Sequence, residues 1–432
     1  MGKMIDSSIT YAKVNNAMNE NRLPQESNAP SPAQSGHRRR HIAFILVATA
    51  MCLQWLLQRF LGVAAPQPWT AVFPGICIFG AALLLTWGAE AAEMDLPQNI
   101  SIGLLALITV LPEYAVDMYF AWTAGKNPVY TAYATANMTG ANRLLIGVGW
   151  PAVLLACWWS HGHREIHLTD NNALELVTLL AATVYSIILP IKATLSIWDS
   201  AVLLALFGLY AYLSTRAEVE EPELEGTART IADLPKTTRR LTVSALFVFS
   251  AAAICLSAEP FAEGILEAGR HLGIEEFLLV QWLAPLASEA PEFIAAILFA
   301  VKGRPGVGLR ALVSSKVNQW TLLVGMLPMV YCLSAGSLGA MPLDARQVEE
   351  IFLTSAQSLF GMVLLMNLNF SMGEALALFI LFSLQIFFPQ SAVRYAFAGI
   401  YLVLSLVLVL TQSSRRNSIF HLIKHVMNPG KT

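Results

Sequence analysis

Charge is what this sequence has least of. Asp, Glu, Lys and Arg make up 13% of its 432 residues, where a soluble domain carries about 25%. A chain this short of charge cannot clothe a folded surface in polar groups, which excludes an ordinary soluble globular class. Positive charge forms no extended stripe. The 27 Lys and Arg stand against 29 Asp and Glu, leaving a net charge of -2, and without a basic stripe nucleic acid is not an expected partner. Cysteine is scarce too. Cys52, Cys77, Cys157, Cys255 and Cys332 fall inside or at the ends of apolar segments, without the spaced pairs of a disulfide framework or a zinc site, and read as small packing residues. The histidines (His37, His41, His161, His163, His167, His271, His421 and His425) lie in loops or tails. Residues 1–36 have no apolar run of the kind a secretory signal needs. Asp6 stands where myristoylation requires Ser or Thr. The stretch 1–40 is expected to be a disordered cytoplasmic tail.

Apolar residues fill the rest. They are 56% of the chain, the mean hydropathy is +0.56, and many runs reach the ~20 residues that cross a bilayer as a helix. About twelve such helices are expected, near 41–61, 71–94, 99–124, 129–159, 173–191, 197–214, 241–258, 277–301, 307–334, 348–368, 372–388 and 392–411. The fold class is therefore an all-α, multi-pass membrane protein. With Arg38, Arg39 and Arg40 placed in the cytoplasm, alternation puts Arg164, Arg216, Arg229, Lys236, Arg239, Arg240, Lys302, Arg304, Arg415 and Arg416 inside as well. Only Arg59, Lys126, Lys192, Arg270, Arg346 and Arg394 fall outside, the bias expected of a correctly oriented chain. Both termini are then cytoplasmic, in a cell (inner) membrane.

The two halves resemble each other. The first reads LITVLPEYAVDMYFAW, a turn with Pro128, then VYTAYATANMTGANRLLIGVGWP. The second reads LAPLASEAPEFIAAILFAV, a turn with Pro305, then GVGLRALVSSKVNQWTLLVGMLP. Later segments match loosely, LTDNNALELVTLLAAT against LDARQVEEIFLTSAQS. Five spans separate corresponding helices, an odd number, so the second copy is inverted. Inverted repeats with interrupted helices at the midplane are a signature of secondary transporters. The expected organisation is an extra helix (41–70), a first repeat (71–214), a cytoplasmic linker (215–240), a second repeat (241–388), an extra helix (389–411) and a cytoplasmic tail (412–432).

Each half carries a Pro-Glu pair within an apolar segment, Pro112-Glu113 and Pro291-Glu292. A carboxylate at the bilayer centre is costly unless paired, protonated or bound to a cation. Asp117 lies one helical turn after Glu113, and Glu289 one turn before Glu292. A proline inside a helix also frees a carbonyl one turn earlier. Carboxylates and carbonyls together suit hard cations. The next helix in each half adds amides and hydroxyls: Asn137, Thr139 and Asn142, then Ser314, Ser315, Asn318 and Gln319. Such groups can instead serve close helix packing. Arg143 and Lys316 lie among them and either reach an interface or pair with a site carboxylate in place of a bound cation. Glu90, Glu93, Asp95, Glu259 and Glu263 read as interfacial, or as lining an ion entrance.

The pattern resembles the sodium/calcium exchanger superfamily of cation antiporters, which pairs a Gly-Thr-Ser-x-Pro-Glu motif with an amide- and serine-rich motif on the following helix, once in each repeat. The likeness covers roughly residues 71 to 411. It implies that Glu113 and Glu292 are the central cation ligands, supported by Thr109, Ser288, Asn142, Ser315 and Gln319. Asp117, Glu289, Asn318 and Asn137 complete the candidate set read from the residues themselves. The motif glycines are largely missing, Glu289 replaces a serine and Lys316 an asparagine, and Arg143 has no counterpart. The resemblance implies exchange of Na⁺ or H⁺ for Ca²⁺ or another cation by alternating access, with these ions as substrates, no cofactor, and membrane lipids as the surroundings. A cation/proton exchanger not using Ca²⁺ is the nearest alternative. An intramembrane enzyme would want histidines or a metal set beside the glutamates, and a passive channel is a further class.

Overall fold

Proline and glycine mark most of the helix boundaries. A computed structural model describes residues 32–63, 65–95, 108, 110–216, 224, 226–388 and 390–427. The expected N-terminal tail lies largely outside these residues, but helix α1 (Pro32–Phe60) begins nine residues earlier than hydropathy alone suggests. Then follow α2 (Trp69–Ala92), α3 (Leu111–Ala124) and α4 (Tyr130–Leu144). A π-helical turn (Leu145–Gly149) joins α4 to α5 (Trp150–His161). The first half closes with α6 (Ala173–Ser186), α7 (Ile188–Lys192) and α8 (Ile197–Ser214). After α9 (Gly226–Ala232), the long α10 (Lys236–Leu272) leads to α11 (Glu276–Val301) and α12 (Pro305–Asn318). A second π-helical turn (Gln319–Leu323) joins α12 to α13 (Val324–Ala335). The remaining helices are α14 (Ala345–Leu365), α15 (Met372–Ile386), α16 (Ser391–Thr411) and α17 (Ser413–Met427). Left-handed glycines end α5, α10 and α13: Gly162, Gly273 and Gly336, where a side chain would be strained.

Among the described residues, nine helices are long and apolar enough to cross a membrane. The expected count of twelve is not reached on these criteria. Residues 96–107 and 109, before α3, lie outside the described set, and α15 spans only 15 residues. The segment 215–240 differs from a fully solvated linker. From Gly226 it is helical, with Thr227, Ala228, Ile231 and Ala232 buried, because its small and branched residues pack on α2. Helix α10 continues past the expected end at 258, through Pro260, to Leu272. Neighbouring helices satisfy the groups that an intramembrane proline frees.

Four short strands record the inversion. Strand β1 (Glu165–His167) pairs antiparallel with β4 (Asn369–Ser371), with Ile166 opposite Phe370. Strand β2 (Thr194–Leu195) pairs antiparallel with β3 (Met341–Pro342), with Leu195 opposite Met341. Each pair joins one half to the other, and one span separates β1 from β2, so the pairs lie at opposite ends of the bundle. The flanking bonds match as well: Leu168 N–H donates to the Leu368 carbonyl (2.8 Å) and Leu343 N–H to the Ala193 carbonyl (3.0 Å). Among the described residues, Ala193 and Leu368 are the two non-glycine residues with positive φ, 51° and 58°. Identical capping boxes follow, Ser196 with Asp199 and Ser371 with Glu374, each satisfying two orphan backbone donors.

Candidate functional site

The two Pro-Glu pairs sit differently in their helices. Pro112 lies in the first turn of α3, where its missing N–H costs nothing and Glu113 stands at the positive end of the helix dipole. Pro291 lies inside the continuous α11, as does Pro285. Having no N–H, they leave the carbonyls of Ala287 and Gln281 without their helical donors. Helix α11 is held from both sides by glycines. A Cβ on Gly140 of α4 would lie 1.7 Å from the Gln281 carbonyl oxygen, and one on Gly308 of α12 would lie 2.4 Å from that of Ala296. Backbones approach this closely only where side chains are absent.

That packing gathers the candidate residues. Glu113, 3% exposed, faces Asp117, Glu292, Gln319 and Lys316. Glu289 is buried and accepts a hydrogen bond from Gln319 Nε2 at 2.9 Å. Glu292 is only partly buried and lies beside Ser315. Asp117 is fully buried next to Asn137. Ser288 turns its hydroxyl onto its own helix, to the carbonyls of Ala284 and Pro285 (3.2 and 3.3 Å). Asn318 offers its backbone carbonyl to the Tyr114 hydroxyl at 3.2 Å. Thr109 lies outside the described residues.

Several of these groups have acceptor atoms with no donor among the described residues. They are Glu113 Oε1, both Asp117 oxygens, Asn137 Oδ1, Glu289 Oε2, Ser315 Oγ, Asn318 Oδ1 and Gln319 Oε1, eight buried oxygens on α3, α4, α11 and the α12–π segment. A buried acceptor left unpaired costs about 1–3 kcal/mol, so such a set is costly unless something positive serves it. Among the described residues, no three His, Cys, Asp or Glu side chains converge closely enough to hold a metal alone. A hard cation here would need amides, hydroxyls and carbonyls beside the carboxylates.

The two basic residues go separate ways. Lys316 is fully buried, faces Glu289 and Glu113, and donates from Nζ to the Asn142 carbonyl (2.9 Å) and to Asn142 Oδ1 (2.5 Å). The amide expected to ligate a cation is thus engaged by an amino group. Its Nδ2 donates to the Met138 carbonyl (2.8 Å). Arg143 neither reaches an interface nor meets a Pro-Glu carboxylate. It pairs with Glu350 of α14 at 2.9 Å, bonds Gln357 and Gln385, and stacks under Trp282 and Phe382. Gln281 also donates to Glu350 (2.9 Å).

The roles of Glu350 and Gln281 were not read from the sequence. A signal was present. In the loosely matching segments Glu350 falls opposite Glu175, and Glu175 meets Arg310 of the other half at 3.4 Å, as Glu350 meets Arg143.

The family model for the sodium/calcium exchanger protein matches residues 67–216 and 242–410. A crystal structure of the H⁺/Ca²⁺ exchanger CAX is 44% identical, with a TM-score of 0.87 over 90% of this chain and 98% of that one. Native YfkE (13% identity, TM-score 0.56, 83% of this chain and 99% of that one) and the sodium-calcium exchanger NCX_Mj (12%, 0.50, 80% and 99%) share the fold. Among curated protein sequences, none matches the chain. The molecule is a multi-pass membrane transporter of inorganic cations, an antiporter and not an enzyme. It belongs to the sodium/calcium exchanger family.

Proposed function

We propose that the chain exchanges Ca²⁺ for H⁺ by alternating access, at a midplane site formed by Glu113, Glu292, Glu289, Asp117, Asn137, Ser315, Asn318 and Gln319. The observation that carries this reading is the cluster of eight unpaired buried oxygens drawn from both inverted halves. Thr109, Ser288 and Asn142 are supporting positions. Lys316 places its amino group beside Glu289 and Glu113. A site with a built-in amino group has less need of a second metal cation, which leaves protons as the natural counter-substrate for the carboxylates. The likeness to a protein described as an H⁺/Ca²⁺ exchanger points the same way.

The repeats are assigned to 71–214 and 241–388, with both termini on the cytoplasmic side of a cell membrane. The Lys and Arg bias of the loops supports that sense.

In proteoliposomes, a pH gradient should drive Ca²⁺ uptake, and an equal Na⁺ gradient should not. Glu113→Gln and Glu292→Gln should each abolish uptake while the protein still accumulates. If both variants transport at the native rate, the site is wrongly placed. If only Na⁺ or K⁺ gradients move Ca²⁺, or no Ca²⁺ moves at all, the H⁺/Ca²⁺ pairing is wrong.

A further inference from the structure

Residues 186–199 and 361–374 align position for position, as SIILPIKATLSIWD and GMVLLMNLNFSMGE. Both run through a positive-φ residue, Ala193 or Leu368, into a strand and a capping box closed by Asp199 or Glu374. Each carboxylate is held by a cation, but the cations have different origins. In the first half Lys192, just before the positive-φ residue, pairs with Asp199. Tyr185 adds a bond of 2.6 Å to the same carboxylate. The second half has Asn367 where Lys192 would be, and Glu374 pairs with Arg415 of α17.

Arg415 is built into this corner. It is 3% exposed. Besides Glu374, its guanidinium donates to the carbonyls of Val363 and Leu364 (2.6 and 2.5 Å), in the last turn of α14. Its Nε donates to Gln412 (2.5 Å). Beyond it, Leu422 is buried and lines a small apolar cavity together with Leu176 and Leu180 of α6 and Met362 of α14. The expected C-terminal tail is therefore, through Met427, a docked helix.

We propose that Arg415 is a positioning residue for exchange: the C-terminal helix lends the second repeat the cation that the first carries on its own Lys192. The corner at one face is then locked by its own repeat. The corner at the other depends on a helix that can leave, which makes α17 a control point reachable from the face where it docks. The flux measurement rests on the Ca²⁺ exchange proposed above, so a second measurement is independent of it.

Arg415→Ala should lower maximal Ca²⁺ flux about tenfold, with the half-saturating Ca²⁺ unchanged, because removing the buried guanidinium strands the part-buried Glu374 carboxylate that orders the corner. Asn367→Lys in that background should restore flux to within about twofold, since it rebuilds the first repeat's pairing. Native flux in Arg415→Ala, or no gain from Asn367→Lys, would overturn the proposal. In the otherwise native full-length protein, Asn367→Lys should compete with Arg415 for Glu374 and release α17. Trypsin should then cut at Arg415 or Arg416 at least about fivefold faster, as expected when a docked segment opens. Unchanged cleavage overturns the clasp whether or not Ca²⁺ proves to be the substrate.

Discussion

At the residue scale, the sharpest departure from the family pattern is Lys316. Its Nζ takes both oxygens of Asn142 and lies over the Trp320 ring, 5.0 Å from its centroid. An amino group there takes polar contacts that a dissociable metal ion could otherwise make. Replacing it with the asparagine of the family motif should give the Asn142 oxygens back to a mobile cation. Lys316→Asn protein is expected to gain thermal stabilisation from added Na⁺ that the native protein lacks. Melting curves of purified protein across NaCl and KCl, at constant ionic strength, will show it. Equal responses in the two proteins would mean that Lys316 does not occupy a cation's place. The carboxylates themselves were legible in the sequence, because an acid in an apolar run has few other uses. The destination of Arg143 was not, since its partner Glu350 lies 207 residues away and only the fold brings them together.

At the scale of single elements, α11 is closely constrained on two sides. It carries Ser288, Glu289 and Glu292, and glycines pack on it at Gln281, whose carbonyl Pro285 leaves without its helical donor, and at Ala296. Gly140→Val should push α4 from α11 and separate Asn137 and Asn142 from the second-half carboxylates. Loss of nearly all exchange is expected, with less folded protein accumulating. Gly208→Ala on α8, where an added Cβ meets nothing within 4 Å, should behave as native. Transport assays on matched amounts of folded protein will separate the two.

Most of the element boundaries could be read from hydropathy and from the prolines and glycines. Two features could not. The π-helical turns after α4 and α12 have no period of their own in the sequence. The helical character of 226–232 was masked by its mixed polar composition, and packing on α2 decides it.

For the whole molecule, the inverted repeat was legible as two Pro-Glu pairs and two turn prolines, but the seams that join the halves were not. Short strands of two or three residues leave no alternation to detect. One seam near the end of α2 gives a pH prediction. Asp95 pairs with Arg239 (2.6 Å) and Arg240 (3.1 Å) at the start of α10. These two guanidiniums hold its carboxyl down at about 2, below the usual ~3.9. A depressed carboxyl contributes stability that is present above its unfolded pKa and is lost as the pH falls through its folded one. The clasp should therefore be constant from neutral pH down to about 4 and weaken toward 2. Melting temperatures of native and Asp95→Asn protein should differ at pH 7 and converge as the pH approaches 2. A gap that persists in acid would show that Asp95 acts through something other than its charge.

The paired strands carry one more consequence. At each end of the bundle the closing hydrogen bonds run from one half to the other, and neither half completes a strand pair alone. The single polypeptide is in effect a dimer whose subunits are spliced end to end. Its quaternary interface already lies inside the chain, and the covalent link between the halves fixes their ratio at one to one.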